Sequence, residues 1–186
     1  MQTNEKFEIR GINHLALVCR DMKKTVEFYS GILGMPLVKT IQLPKDSGQH
    51  FFFDIGKGDQ LAFFWFPEAP KKVPGVTHAA SLVGHGPITS AHASMNHVAF
   101  DVPVEKIAEY QKKLMVAGVE VTPVIFHDES ENQASLTDTD STFVRSIYFK
   151  DPDGILLEFA ASTRPFNVDD VDCEPVNLDR FLQEPD

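Results

Sequence analysis

An α+β fold built from two copies of one strand–helix–strand–strand–strand unit is what the sequence predicts, and three observations predict it. Ile12-Asn13-His14-Leu15-Ala16-Leu17-Val18 returns as Met95-Asn96-His97-Val98-Ala99-Phe100-Asp101-Val102, sharing Asn-His-aliphatic-Ala-apolar at an offset of 83 residues. Each copy is followed by a run of helical period, and each helix by three extended runs, so the order of elements repeats with the string. The chain of 186 residues, 42% hydrophobic with 15 Phe, is about one domain by the rule of roughly 150 residues per domain and can bury a real core.

The elements follow in order. Ile12 to Val18 alternates as a strand. Asp21 is placed to cap a helix from Met22 to Leu33, with Val26, Phe28, Tyr29, Ile32 and Leu33 near 3.6 spacing and Gly34 at the stop. Extended runs then span 36–43, 50–55 and 60–66, the last two joined by Asp54-Ile55-Gly56-Lys57-Gly58-Asp59. In the second copy Pro103 precedes a helical run through Ile107, Tyr110, Leu114 and Met115, stopped at Gly118. Extended runs at 120–126, 143–150 and 155–160 close it, with Asp151-Pro152-Asp153-Gly154 as the final turn. Module one is read as 9–66, a connecting segment as 67–94, module two as 95–161 and a tail as 162–186.

The formal charge of −10 argues against phosphate backbones and anionic membrane surfaces, which are held by clustered Lys and Arg. No nucleic acid or membrane partner is expected. Seven acids against Arg180 put −6 of that charge in residues 166–186, a segment that reads as disordered or laid across a neighbouring surface. Cys19 and Cys173 read as free thiols, because a chain of this size needs no disulfide framework. The first residues lack an apolar signal core and no run approaches the roughly 20 apolar residues of a bilayer span, so a cytoplasmic protein is the default expectation.

Period-2 geometry places His14 on a face with Ile12, Ala16 and Val18, and His97 on a face with Met95, Ala99 and Asp101. Each imidazole therefore stands two residues from an alanine that leaves volume beside it. The last strand, Ile155-Leu156-Leu157-Glu158-Phe159, interrupts an apolar run with one carboxylate, which is costly to bury without a compensating cation. If Glu158 shares a cavity with His14 and His97, two imidazoles and a carboxylate make the facial triad suited to Fe(II), with Mn(II) as an equal fit for the donors.

On these residues the chain resembles the vicinal oxygen chelate superfamily, which includes glyoxalase I, bleomycin-resistance proteins, fosfomycin-resistance thiol transferases and extradiol ring-cleavage dioxygenases. The resemblance covers about residues 9–161. It implies two paired βαβββ modules forming an open, cup-shaped mixed sheet, metal ligands at His14, His97 and Glu158, and a homodimer. At the fourth ligand position the chain has Ala62, or Phe63 on a one-residue slip, and neither binds metal. That vacancy disfavours glyoxalase-type isomerisation, which draws on carboxylates from both modules. Ile147-Tyr148 followed by Asp151-Pro152-Asp153-Gly154 and Glu158 matches the closing half of the extradiol signature, while its upstream histidine is replaced by Thr139-Asp140-Ser141.

The expectation is thus a metal-dependent enzyme, first an Fe(II) extradiol-type dioxygenase acting on a small catecholic substrate, with Tyr148 hydrogen-bonding that substrate. His127, or a histidine of the connecting segment (His78, His85 or His92), is the candidate base. Ala16, Ala99 and Phe64 are candidates to line the substrate cavity, Phe64 as one of the aromatics of an apolar cup. The alternatives are a glyoxalase or lyase, a thiol transferase using Mn(II) or Zn(II), and a non-catalytic binding or resistance protein. The connecting segment, with four prolines and three glycines, reads as a lid, a binding loop or a crossing between sheets.

Overall fold

The computed structural model describes residues 13–166 and Asp170. Residues 9–12 of the first module and most of the acidic tail, Cys173 included, lie outside the described residues. Among the described residues no helix is long and apolar enough to cross a membrane.

Each module has the anticipated order. The first runs β1 (His14–Cys19), α1 (Met22–Val26), β2 (Leu37–Gln42), β3 (Gln49–Gly56) and β4 (Asp59–Trp65); the second runs β5 (His97–Asp101), α2 (Ile107–Val116), β6 (Ile125–His127), β7 (Val144–Lys150) and β8 (Leu156–Ser162). They form two four-stranded mixed sheets, ordered β1-β4-β3-β2 and β5-β8-β7-β6, in which the first strand pairs in parallel with the last. The fold class is the α+β arrangement expected.

Local chemistry sets the ends. Asp21 accepts the Lys24 amide at 3.2 Å and starts α1. The helix widens to a π-turn over Glu27–Ile32, which lets the consecutive Phe28 and Tyr29 both enter the core. Gly118, at φ 78°, ends α2, with its amide and that of Val119 bonded to the Met115 and Leu114 carbonyls. β6 is shorter than the run expected at 120–126: Pro123 has no amide to pair, and Val121 makes only an isolated bridge to Phe149.

Alternation along the strands decides what is buried. Leu15 and Leu17 of β1, Phe53 of β3, and Leu61 and Phe63 of β4 meet Phe100, Ile147, Phe149 and Leu157 of the second module in one core, with Phe28, Tyr29, Ile107 and Leu114 from the helical segments. Burying each such large side chain contributes about 1.5–3 kcal/mol. Cys19 is a free thiol in this core. Because both inner faces are spent here, the histidine-bearing faces lie on the sides of the sheets turned away from it.

The Asp151-Pro152-Asp153-Gly154 turn ties the modules together. Asp151 accepts the amides of Asp153 and Ile155 at 2.9 and 2.8 Å and the Tyr29 hydroxyl at 3.2 Å, while Asp153 accepts the Arg20 amide at 2.9 Å. The connecting segment does more than cross between sheets. Its Ala79 and Leu82 are buried against Ile125, Tyr148 and Leu156, forming a second apolar cluster on the histidine-bearing face of module two.

Candidate functional site

The site is built on the outward face of the second sheet. Register sets Ala99 beside Glu158 and Glu158 beside Tyr148, and the period-2 pleat adds His97, Ser146 and His127 to the same side. His97 Nε2 lies 3.2 Å from Glu158 Oε2, and the Ser146 hydroxyl donates to Glu158 Oε1 at 2.5 Å. Glu158 is only 6% exposed. Burial pushes its carboxyl up, but hydrogen bonds from His97, Ser146 and Tyr148 outweigh that and leave it below the usual value. The same hydrogen bond to Glu158 raises His97 against the effect of its own burial.

The repeated Asn-His pair has a physical role. Asn96 Oδ1 lies 2.9 Å from His97 Nδ1, and Asn13 Oδ1 lies 2.9 Å from His14 Nδ1. An amide oxygen can only accept, so each Nδ1 carries a hydrogen and Nε2 is the nitrogen left to ligate: His14 turns it outward, and His97 would give up the hydrogen it directs at Glu158 when an ion binds. This donor set fits a divalent ion. The 3.2 Å between His97 Nε2 and Glu158 Oε2 suits two adjacent ligands of one ion at bonds of about 2.1 Å.

His14 does not join them within the chain. Among the described residues no three His, Cys, Asp or Glu side chains gather to hold a metal ion, so the single-chain convergence expected of His14, His97 and Glu158 is not found. The physical reason is the shared core, which draws the two inner faces together and turns the histidine faces outward. His14 and Ala16 are exposed on the open face of module one. The His14 ring stands 5.7 Å from Phe52, beside an aromatic patch in which His50 stacks on Phe64 at 3.6 Å and Phe64 on Phe66 at 5.3 Å. Phe64 and Ala16 thus line this face, and Ala99 lines the other.

Of the histidines considered as bases, His127 is the one bonded to Tyr148: its Nε2 lies 3.0 Å from the Tyr148 hydroxyl. His78 is buried in the connecting segment, with Nδ1 donating to the Ala79 carbonyl at 2.9 Å, and His85 and His92 are exposed. Ser146 escaped the sequence reading, although its spacing of two from Tyr148 puts it on that face. Ala79 and Leu82 escaped it too, because a turn-rich segment carries no period.

A family description, Glyoxalase/Bleomycin resistance protein/Dioxygenase superfamily, matches residues 11–159. The chain belongs to this superfamily. It is similar to metallothiol transferase FosB of Lysinibacillus sphaericus, 24% identical over 173 residues that cover 93% of this chain and 97% of that one. It is also similar to the fosfomycin resistance protein FosX of Listeria monocytogenes, 26% identical over 155 residues that cover 83% and 92% of the two chains. In fold it matches the crystal structure of a glyoxalase family protein from Enterococcus faecalis, with TM-score 0.58 at 21% identity over 83% and 99% of the chains. These relatives correct the extradiol expectation. The curated proteins to which this superfamily member is similar carry the names of metallothiol transferases, a fosfomycin resistance protein and a plant glyoxylase, not of ring-cleavage dioxygenases. The Tyr148-to-Glu158 spacing therefore does not distinguish a dioxygenase, and iron and oxidation lose their support with it.

Proposed function

We propose that this protein is a metal-dependent thiol transferase that joins a thiol to a small electrophile bearing adjacent oxygens, and that it works as a homodimer. The observation that carries the reading is the split of the donor set: His97 and Glu158 stand together on one outward face, and His14 stands on the other, near His50. Two copies placed so that module one of each meets module two of the other complete two equal centres, as a two-fold assembly requires. The names of the FosB relatives support thiol transfer, and that of FosX supports fosfomycin as the first acceptor to test.

His97, Glu158 and His14 of the partner subunit would hold the ion, with Mn(II) or Zn(II) suited to these donors. Such an ion supplies positive charge that binds the acceptor's oxygens and stabilises charge developing on the leaving oxygen. The protein's own groups do the rest. Ser146 fixes Glu158, Tyr148 hydrogen-bonds an acceptor oxygen, and Ala16 and Ala99 leave room for it. The aromatic patch of Phe52 and Phe64 excludes water from the sulfur as the thiol, its proton given up to solvent, attacks carbon; the carbon–oxygen bond breaks with its electron pair left on oxygen, which then takes a proton from solvent.

Mixing variants tests both parts. With fosfomycin, Mn(II) and cysteine or glutathione, mass spectrometry is expected to find the thiol adduct for the wild type and none for His14→Ala or Glu158→Ala alone. Unfolded and refolded together, the two variants should recover up to roughly a quarter of wild-type activity, because half of the pairs are mixed and each mixed pair has one intact centre. Failure to recover activity defeats the shared centre, and absence of adduct with every thiol defeats the transferase.

A further inference from the structure

The Tyr148 hydroxyl stands between neighbours of opposite character. On one side is His127 Nε2, 3.0 Å away; on the other is Glu158, its cross-strand partner on β8, with Ser146 two residues along on the same face. The Ser146 hydrogen is already given to Glu158 Oε1. Glu158 accepts the Ser146 hydroxyl and faces His97 Nε2 at 3.2 Å, and an ionised carboxylate can only accept hydrogen bonds. If Tyr148 gave its hydrogen to His127, its lone pairs would face that carboxylate, acceptor against acceptor. The arrangement that satisfies every atom runs the other way, with His127 as donor.

We infer that His127 is a positioning residue: its Nε2–H donates to the Tyr148 oxygen and so turns the phenolic hydrogen toward the His97–Glu158 half-site, ready for an anionic substrate oxygen. This reverses the role of proton acceptor expected for His127. The surroundings hold the geometry. His127 pairs with Val144 at the end of β6, and its carbonyl accepts the Phe143 amide at 2.9 Å. Its ring meets Tyr148 edge-on, at 84° with centroids 6.2 Å apart. Tyr148 is itself 6% exposed beneath Ala79 and Leu82, and Thr122 brackets its backbone, accepting the Tyr148 amide on Oγ1 and donating its own amide to the Tyr148 carbonyl, each at 3.0 Å. A hydroxyl with a locked ring and one fixed donor has one remaining direction for its hydrogen.

The catalytic consequence rests on the thiol-transfer reading, whereas the tautomer does not. Nitrogen-15 NMR of protein labelled in its histidine rings, in mildly alkaline buffer and without added metal, reads the tautomer directly, with His127→Gln identifying the signal. A protonated Nε2 is expected; a bare Nε2 with the hydrogen on Nδ1 overturns the inference whatever the enzyme does. In the fosfomycin assay His127→Leu should lower kcat about tenfold, the loss of one oriented hydrogen bond, with His127→Gln, which keeps a side-chain N–H, recovering most of it. In a Tyr148→Phe background His127→Leu should cost nothing further. An additive loss there means that His127 acts otherwise than through Tyr148. Absent activity with an Nε2–H tautomer counts against the transferase and leaves the positioning contact standing.

Discussion

The Tyr29 hydroxyl reaches the Asp151 carboxylate at 3.2 Å across the boundary between the modules, where Tyr29 is fully buried and Asp151 only 5% exposed. Burial lifts Asp151 from its ordinary 3.8 to about 6, against the lowering effect of the amides it accepts. The folded protein therefore takes up this proton more readily than the unfolded chain. The stability it brings is complete below about pH 4 and is lost as pH rises through 6. Asp151→Asn cannot titrate, so the wild type's stability relative to this variant should fall by on the order of 2–3 kcal/mol between pH 4 and pH 7. Urea denaturation at a series of pH values measures it, and a constant difference would contradict the buried-carboxyl account.

Tyr29→Phe removes the donor and leaves the ring. At neutral pH it should cost about 1–2 kcal/mol, the price of a buried carboxylate losing a hydrogen bond. Thermal melts check this, and a smaller loss at pH 4, where the carboxyl is protonated, is the accompanying sign.

Asn96→Ala frees the His97 ring while sparing Nε2, the nitrogen proposed to ligate. Divalent-ion affinity should drop about 10–100-fold, as when such orienting partners are removed from metal-ligating histidines. Titration against a coloured chelator measures the change. Unchanged affinity would show that Asn96 does not orient the ligand. Asn96 also donates to the Ile88 carbonyl at 2.7 Å, so a melting curve should accompany the titration.

Leu82→Ala thins the wall that the connecting segment lays over Tyr148. A loss of about 2–3 kcal/mol is expected for a truncation in so small a cluster, together with faster amide exchange in 74–83. Exchange confined elsewhere would mean that the segment is anchored by other contacts.

Much of this was legible in the residues, for reasons that also mark where legibility stops. Repetition of Asn-His-aliphatic-Ala located equivalent strands, and period 2 put His97 and Ala99 on one face, the row that Glu158 and Tyr148 share, although Met95, expected beside His97, precedes the strand and packs against the core. Alternation tells which side of a strand a residue occupies; it does not tell which sheet's face lies opposite. Both modules carry an apolar inner face, and burying those against each other or in separate pairings satisfies the same pattern. The fate of His14 was therefore invisible. The contact of His127 with Tyr148 depends on where β6 begins, which Pro123 decides by leaving Val121 as an isolated bridge. The Asp-Pro-Asp-Gly turn was read only as a turn, yet its first aspartate fastens one module to the other.

Along β5, β7 and β8, residues packed into the shared core alternate with residues of the outward face, where Ala99, Ser146 and Glu158 sit beside Tyr148 and Leu156 of the second apolar cluster. A substitution at exposed Ala99 alters the outward face, while Val98, Ile147 and Leu157 pack on the core side behind it. Catalytic innovation and folding can thus be selected almost independently on the same few strands, which gives such a scaffold latitude to acquire new reactions while remaining recognisably itself.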